Sequence, residues 1–300
     1  MTKPEVNYEW YGELARRVAE EDEKNKELDK LLTMPTCYPI LDEMLDGGFR
    51  PGELAILSAP TKNGKTTLAQ SITWNLTKKG KRVLWFTMEM SWKELTRKFM
   101  AMDDKKYSTN AICYPLENYH GGGQLQLDWL REVILNAKNV DGVDFVVIDH
   151  LHFLLPLKDF NTNISFLIGG VVREIKKIAI ELEIPIMLIA HTKKLDVDKT
   201  PDINSIRDSS FIVQESDFTF IMWRIRNKES LKKTSEESDM TEIYTNKSWL
   251  SLEANRRTGK TGRVKLWHNG TMFVPYTPEQ KDKDKMKDFT DFANKKVFNM

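Results

Sequence analysis

One stretch constrains this chain more than any other. Residues 53–69 read ELAILSAPTKNGKTTLA: a short apolar run, a turn of small and polar residues, then Gly64-Lys65-Thr66 opening a helical pattern. A loop between a strand and a helix turns its backbone N–H groups into a concavity, and the helix dipole favours negative charge there. Phosphate groups fit such a cradle. Lys65 supplies a cation for the outer phosphates, and Thr66 supplies a hydroxyl for a metal shell. Ala59 stands where the phosphate-loop motif begins with glycine, and it adds little bulk. The expected nucleotide-binding set is Ala59, Pro60, Thr61, Lys62, Asn63, Gly64, Lys65, Thr66 and Thr67, with ATP and Mg²⁺ as the implied ligands.

Hydrophobic periodicity places this loop in an α/β frame. The segments ELAILSA, KRVLWFTME, DFVVIDHLHFL, IPIMLIAHT and DFTFIMWRI read as buried strands. Between them lie helical patterns: TTLAQSITWNLTKKG with a glycine stop, SWKELTRKFMAMD with Ser91 as N-cap, LDWLREVILNAKN, and residues 164–183. Strands alternating with helices predict a mostly parallel twisted sheet with helices on both faces. Residues 249–276 predict two strands around a basic turn, with His-Asn-Gly as a tight hairpin turn. Residues 226–248 read as a polar insertion. Ahead of the core, residues 8–33 form an amphipathic pattern with Trp10, Leu14, Val18, Leu28 and Leu32 on one face. The expected organisation is an amino-terminal arm over 1–35, an ATPase core over 36–276, and a charged, flexible tail over 277–300.

Three residues at predicted strand ends extend the site. Ligands of open α/β sheets gather at the carboxyl ends of the strands. Asp149 follows four apolar residues, where a carboxylate is costly unless it faces a cation; it joins Thr66 as a predicted Mg²⁺ ligand. Glu89 ends VLWFTME and is the candidate general base or water-orienting group. His191 ends IPIMLIA and is the candidate sensor of the terminal phosphate.

Composition narrows the setting. Of 300 residues, 40% are hydrophobic and 30% charged, so the chain can bury a sizeable core. A net charge of +1 means that any nucleic-acid contact rests on local basic surface. Cys37 and Cys113 have no metal or redox spacing, which fits a reducing compartment. The first residues form no apolar signal segment, and no apolar run approaches about 20 residues. A cytoplasmic protein, in a bacterium or a phage-infected host, is expected.

These motifs, in this order, resemble the hexameric replicative DNA helicases of the DnaB type, with features of the Twinkle and phage primase-helicase branch. The resemblance runs over residues 36–275 and rests on FRPGELAILSAPTKNGKTTLA, FTMEMS, VVIDHLH and IAHTKK. It implies a RecA-like motor domain in which Glu89 is catalytic, Asp149 serves the metal and His191 senses phosphate. IRDSSFIVQESDFTFIMWR resembles a family segment beginning Arg-Gly-Ser-Gly; Arg207, Gln214 and Asp217 match it, whereas Asp208, Ser209 and Ser210 depart from it. Gln214 is thereby expected near the nucleotide. ANRRTGKTG resembles the turn that offers an arginine finger to the next subunit, and either Arg256 or Arg257 takes that role. A basic residue usual two places before the finger is Ala254 here.

The resemblance further implies a ring, expected as a hexamer, that tracks single-stranded or forked DNA. Two loops would face its channel, bringing Lys158 from the first and Lys193, Lys194, Lys199 and Arg207 from the second. No primase or collar domain fits into the first 35 residues, so a stand-alone motor is expected, working with a separate primase or loader. The arm over 8–33 takes the place of the family's linker helix, which docks on a neighbouring subunit. Two other readings stay open: a RecA- or RadA-type recombination ATPase, and a nucleotide-gated interaction scaffold or loader.

Overall fold

The computed structural model describes residues 12–13, 15–17, 19–20, 32–102, 111–115, 123–155, 164–193, 200–206, 209–226 and 244–277. Two compact units divide the chain, Met1–Thr33 and Met34–Met300. In the first, the described residues among 12–20 are helical. Most of the arm expected over 8–33 lies outside the described residues, as do most of the polar insertion and positions 278–300.

The second unit contains, in chain order, α1 (Pro39–Met44), β1 (Leu54–Ala59), α2 (Lys65–Lys78), β2 (Val83–Thr87), α3 (Trp92–Met102), β3 (Ile112–Cys113), α4 (Gly123–Asp141), β4 (Phe145–Asp149), α5 (Ile164–Glu181), β5 (Ile186–His191), α6 (Ser209–Glu215), β6 (Phe218–Arg226), β7 (Tyr244–Asn255), β8 (Gly262–His268) and β9 (Phe273–Pro275). The strands form one sheet in the order β3-β2-β4-β5-β1-β6-β7-β8-β9. From β3 to β6 every pair is parallel, and from β6 to β9 every pair is antiparallel.

Central strands covered on both faces must be apolar throughout, and every residue of β1, β2 and β4 is buried. The two-residue period sorts their side chains into two layers. Ala55, Leu57 and Ala59 join Leu68 and Ile72 of α2 and Phe99 of α3. Leu54 and Ile56 join Ile134 of α4 and Ile175 of α5 on the other face. The expected α/β sheet with helices on both faces is therefore present.

Local signals act as expected at two helix ends. Gly80 has φ 77° just past α2, the left-handed stop that glycine provides. The Ser91 hydroxyl accepts the Glu94 N–H at 3.3 Å and caps α3.

Other expectations need correction. The apolar run after Asp149 does not extend β4. Leu151–Leu154 form a 3₁₀ turn, in which Leu151 and Leu154, three apart, are both buried. Strand β7 begins at Tyr244, inside the segment read as insertion, and β9 adds a third strand to the carboxyl-terminal region. The edge is reinforced by cations over aromatics: Arg263 lies 5.3 Å from the Trp223 ring centre, and Lys265 lies 4.4 Å from that of Tyr276.

At the amino-terminal edge of the parallel sheet, Asp217 joins β1, α5 and β6. Its Oδ2 accepts the Leu54 N–H at 2.7 Å and the Lys176 ammonium at 2.6 Å. Both side chains of this ion pair are largely buried. Removing one partner strands the other charge and a backbone donor. Asp217→Ala should lower stability by about 3–5 kcal/mol in urea unfolding.

Candidate active site

The phosphate loop is built by the carboxyl end of β1 and the start of α2. Its turn is internally bonded: the Asn63 N–H donates to the Pro60 carbonyl at 3.2 Å, and the Asn63 amide donates to the Thr61 carbonyl at 3.0 Å. The Asn63 side-chain Oδ1 accepts the Arg224 N–H at 2.9 Å, which fastens the loop to β6. Gly64 opens α2 with φ 92°, a conformation that other residues adopt only with strain. A Cβ there would lie 2.9 Å from the Phe273 ring. Phe273 is itself held by its N–H to the Ser71 hydroxyl at 2.9 Å, and its carbonyl accepts the Tyr38 hydroxyl at 2.9 Å. Gly64→Ala should therefore cost about 1–2 kcal/mol of stability from backbone strain. It should also weaken nucleotide binding, which fluorescence titration would measure.

Lys65 and Thr66 point into the cradle from the first turn of α2. The buried Lys65 ammonium donates to the Ala59 carbonyl at 3.1 Å. Burial lowers its pKa, opposed by the charges of Asp149 and Glu89. The Thr66 hydroxyl donates to Asp149 Oδ2 at 2.8 Å, joining the loop to the end of β4.

Asp149 is 1% exposed, and burial raises its pKa to about 6 against the opposing Thr66 hydrogen bond. Its Oδ1 is buried without a hydrogen-bond partner. An orphaned buried carboxylate oxygen together with the neighbouring threonine hydroxyl is an oxygen-donor set that suits Mg²⁺.

Strand order decides what else reaches this place. Strand β4 lies between β2 and β5, so residues beyond the ends of all three converge. Thr87 is in register with Asp149, and the Met88 N–H donates to the Asp149 carbonyl at 2.8 Å. Glu89 follows, with its side chain 47% exposed and Oε2 3.6 Å from His150 Nδ1. The His191 ring meets that of His150 edge to face, with centroids 4.2 Å apart. Burial, then His191 and His152, push the His150 pKa down to about 3, so its ring is neutral at physiological pH.

His150 is not among the residues expected from the sequence. The His-Leu-His run after Asp149 is the available signal, but placing it requires the turn that ends β4.

The family described as "DnaB-like helicase C terminal domain" matches residues 33–112 and 120–274. This chain belongs to that family. Among similar DnaB proteins is "Replicative DNA helicase DnaB" of Geobacillus stearothermophilus, 24% identical over 256 residues, 78% of this chain and 54% of the relative. The protein of that name from Pasteurella multocida (strain Pm70) is 26% identical over 272 residues, 78% of this chain and 53% of the relative. This chain thus spans about half the length of these relatives.

Two solved structures share the fold. One, an ATPase domain, aligns with TM-score 0.68 and 19% identity, covering 90% of this chain and 100% of that one. The other, "The Structure Of A DnaB-Like Replicative Helicase And Its Interactions With Primase", aligns with TM-score 0.66 and 19% identity, covering 92% and 69%.

In this DnaB-like domain the paired arginines lie at the other end of the sheet. Asn255 of β7 pairs with Phe218 at the start of β6, and the Arg256 N–H donates to the Asp217 carbonyl at 2.8 Å. The six residues of β1 separate this edge from the phosphate loop, about 20 Å at strand rise.

The two side chains differ. Arg257 turns inward, donating to the carbonyls of Leu45 and, at 2.8 Å, Gly48. Its guanidinium also lies 3.5 Å from the Glu53 carboxylate and over the Phe218 ring. Arg256 is exposed and donates to the Gln214 carbonyl. Gln214 therefore lies beside Arg256, across the sheet from this chain's own Lys65.

Of the residues expected at the DNA loops, Lys193 is described and exposed, while Lys158, Lys194, Lys199 and Arg207 lie outside the described residues. Lys193 lies two residues past the end of β5, and its N–H donates to the Ser205 carbonyl at 2.8 Å.

Proposed function

We propose that this chain is an ATP-hydrolysing motor that moves along single-stranded DNA as a cytoplasmic ring, a hexamer by the family resemblance, and separates duplex strands. The observation that carries this reading is the hydrogen bond from Thr66 to Asp149 beneath Lys65, with Glu89 beside it on the next strand end. Membership in the DnaB-like family supplies the DNA side of the argument.

The residues divide the work as follows. Backbone N–H groups of residues 61–66 and the Lys65 ammonium bind the phosphates. Thr66 and Asp149 would hold Mg²⁺, which supplies charge neutralisation at the phosphate oxygens. Glu89, half exposed at the mouth of the site, orients the attacking water. His191 contacts the outermost phosphate. The chain leaving it is bonded to Ser205, which gives a route from phosphate state to the loop between them.

Arg256 is proposed as the finger. It is exposed and lies too far from its own phosphate loop to serve it, so it acts on a nucleotide bound by a neighbouring copy. Gln214 accompanies it to that neighbour's nucleotide. Lys158, Lys193, Lys194, Lys199 and Arg207 are proposed to contact DNA phosphates without reading sequence. The arm over 8–33 docks on the adjacent subunit, and a primase or loader is supplied by another chain.

The test is a forked duplex with a labelled strand. The reading predicts strand release that requires ATP and Mg²⁺. ATP turnover without any strand release would favour the recombination-ATPase or scaffold alternative.

A further inference from the structure

Three of the chain's five histidines gather at one point of the sheet edge. His150 and His191 come from neighbouring strand ends, and their rings are 4.2 Å apart between centroids. The His152 ring centre lies 5.4 Å from that of His150 and 5.8 Å from that of His191. Glu89 closes the group from the end of β2.

One ligand atom each from Glu89, His150 and His191 can be chosen so that all three lie within 4.8 Å of one another. Ligand atoms around a tetrahedral zinc ion lie about 3.3 Å apart. Glu89 Oε2 and His150 Nδ1 stand 3.6 Å apart, close to that spacing. His150 is 7% exposed, and its Nδ1 has no hydrogen-bond partner. A buried imidazole nitrogen left without a protein partner is satisfied by a bound cation or a water.

We infer that Glu89, His150 and His191 form a site for a borderline-soft divalent cation such as Zn²⁺, separate in chemistry from the Mg²⁺ site at Thr66 and Asp149. Two imidazoles and one carboxylate are the donor set of open zinc sites, and imidazole is a poor ligand for Mg²⁺. His152 stands near enough to supply a further nitrogen. The half-exposed Glu89 leaves an entry path from solvent.

A consequence follows from the ligands. A cation bound there takes the carboxylate of Glu89 and the ring of His191 out of service, so Zn²⁺ acts as a brake on hydrolysis. This braking effect rests on the assignment of Glu89 and His191 under Proposed function; the binding does not.

Equilibrium dialysis with Zn²⁺ alone, without nucleotide, tests the binding. Wild type should hold one Zn²⁺ per chain that His150→Ala and His150→Asn bind at least about 10–100-fold more weakly. Lys65→Ala, which loses the cradle's cation but none of these ligands, should bind Zn²⁺ like wild type. Co²⁺ in place of Zn²⁺ should give the visible absorption of a tetrahedral nitrogen–oxygen site in wild type and not in His150→Ala. Circular dichroism confirms that the variants are folded. Zn²⁺ retention that is equal in wild type and in both folded His150 variants overturns the site. Zn²⁺ binding that depends on His150 while ATP turnover is unaffected by Zn²⁺ keeps the site and overturns the brake. Absence of ATP turnover in wild type with His150-dependent Zn²⁺ binding intact overturns the motor reading alone.

Discussion

Arg256→Ala should lower ATP turnover by about 10³–10⁵-fold while leaving the fold and nucleotide affinity intact, the scale on which a finger contributes in other phosphate-loop enzymes. Arg257→Ala should behave in the opposite way. Arg257 bonds to the Leu45 and Gly48 carbonyls and faces Glu53, whose side chain is 14% exposed. Its removal leaves that carboxylate with the Arg50 N–H at 2.7 Å but without its facing guanidinium, and should cost about 3–5 kcal/mol of stability.

Mixing adds a sharper test. Arg256→Ala and Lys65→Ala proteins, each inactive alone, should regain turnover together. Some interfaces then pair an intact cradle from one subunit with an intact finger from the other. No recovery on mixing, with both variants assembled, would count against action between subunits. A large turnover loss in Arg257→Ala with unchanged stability would count against the choice of Arg256.

Glu89→Gln should leave ATP binding in place and reduce hydrolysis by about 10²–10⁴-fold, the usual range for a positioned base. The amide keeps the shape and loses the charge that orients water. Because Glu89 is half exposed, its substitution should change stability little, which separates this loss from misfolding. Turnover near the wild-type rate in the folded variant would remove Glu89 from the mechanism.

The legibility of this site follows from where the determining forces lie. The phosphate loop is encoded locally: an apolar run, a turn and a helix start are contiguous, so Gly64, Lys65 and Thr66 can be placed from neighbours alone. Asp149 is legible for a related reason, since a carboxylate ending a buried strand is costly without a cation. The two residues, 83 positions apart, meet through the 2.8 Å bond from the Thr66 hydroxyl to Asp149. The resemblance to DnaB-type helicases is carried by motif order, and the family match covers nearly the same span.

Other features depend on contacts between distant segments. The choice between Arg256 and Arg257 turns on Glu53, Phe218 and the Leu45 carbonyl, none of them adjacent in sequence. The histidine cluster depends on β4 lying between β2 and β5, an order that periodicity does not reveal. The resemblance puts Gln214 near the nucleotide, but the short helix α6 carries it to the opposite edge of its own sheet, beside Arg256. The three-residue β9 exists because β8 offers it an edge, and a run that short carries no period of its own. Residues Val146–Leu154 are mostly apolar, and such a run does not declare where a strand gives way to a 3₁₀ turn.

The most direct measurement is the ATP turnover rate of wild type and Lys65→Ala, with and without single-stranded DNA. A working cradle in a DNA motor predicts turnover that rises with DNA and disappears in Lys65→Ala at either condition. Turnover in wild type that ignores DNA, or turnover that survives in Lys65→Ala, would contradict the account.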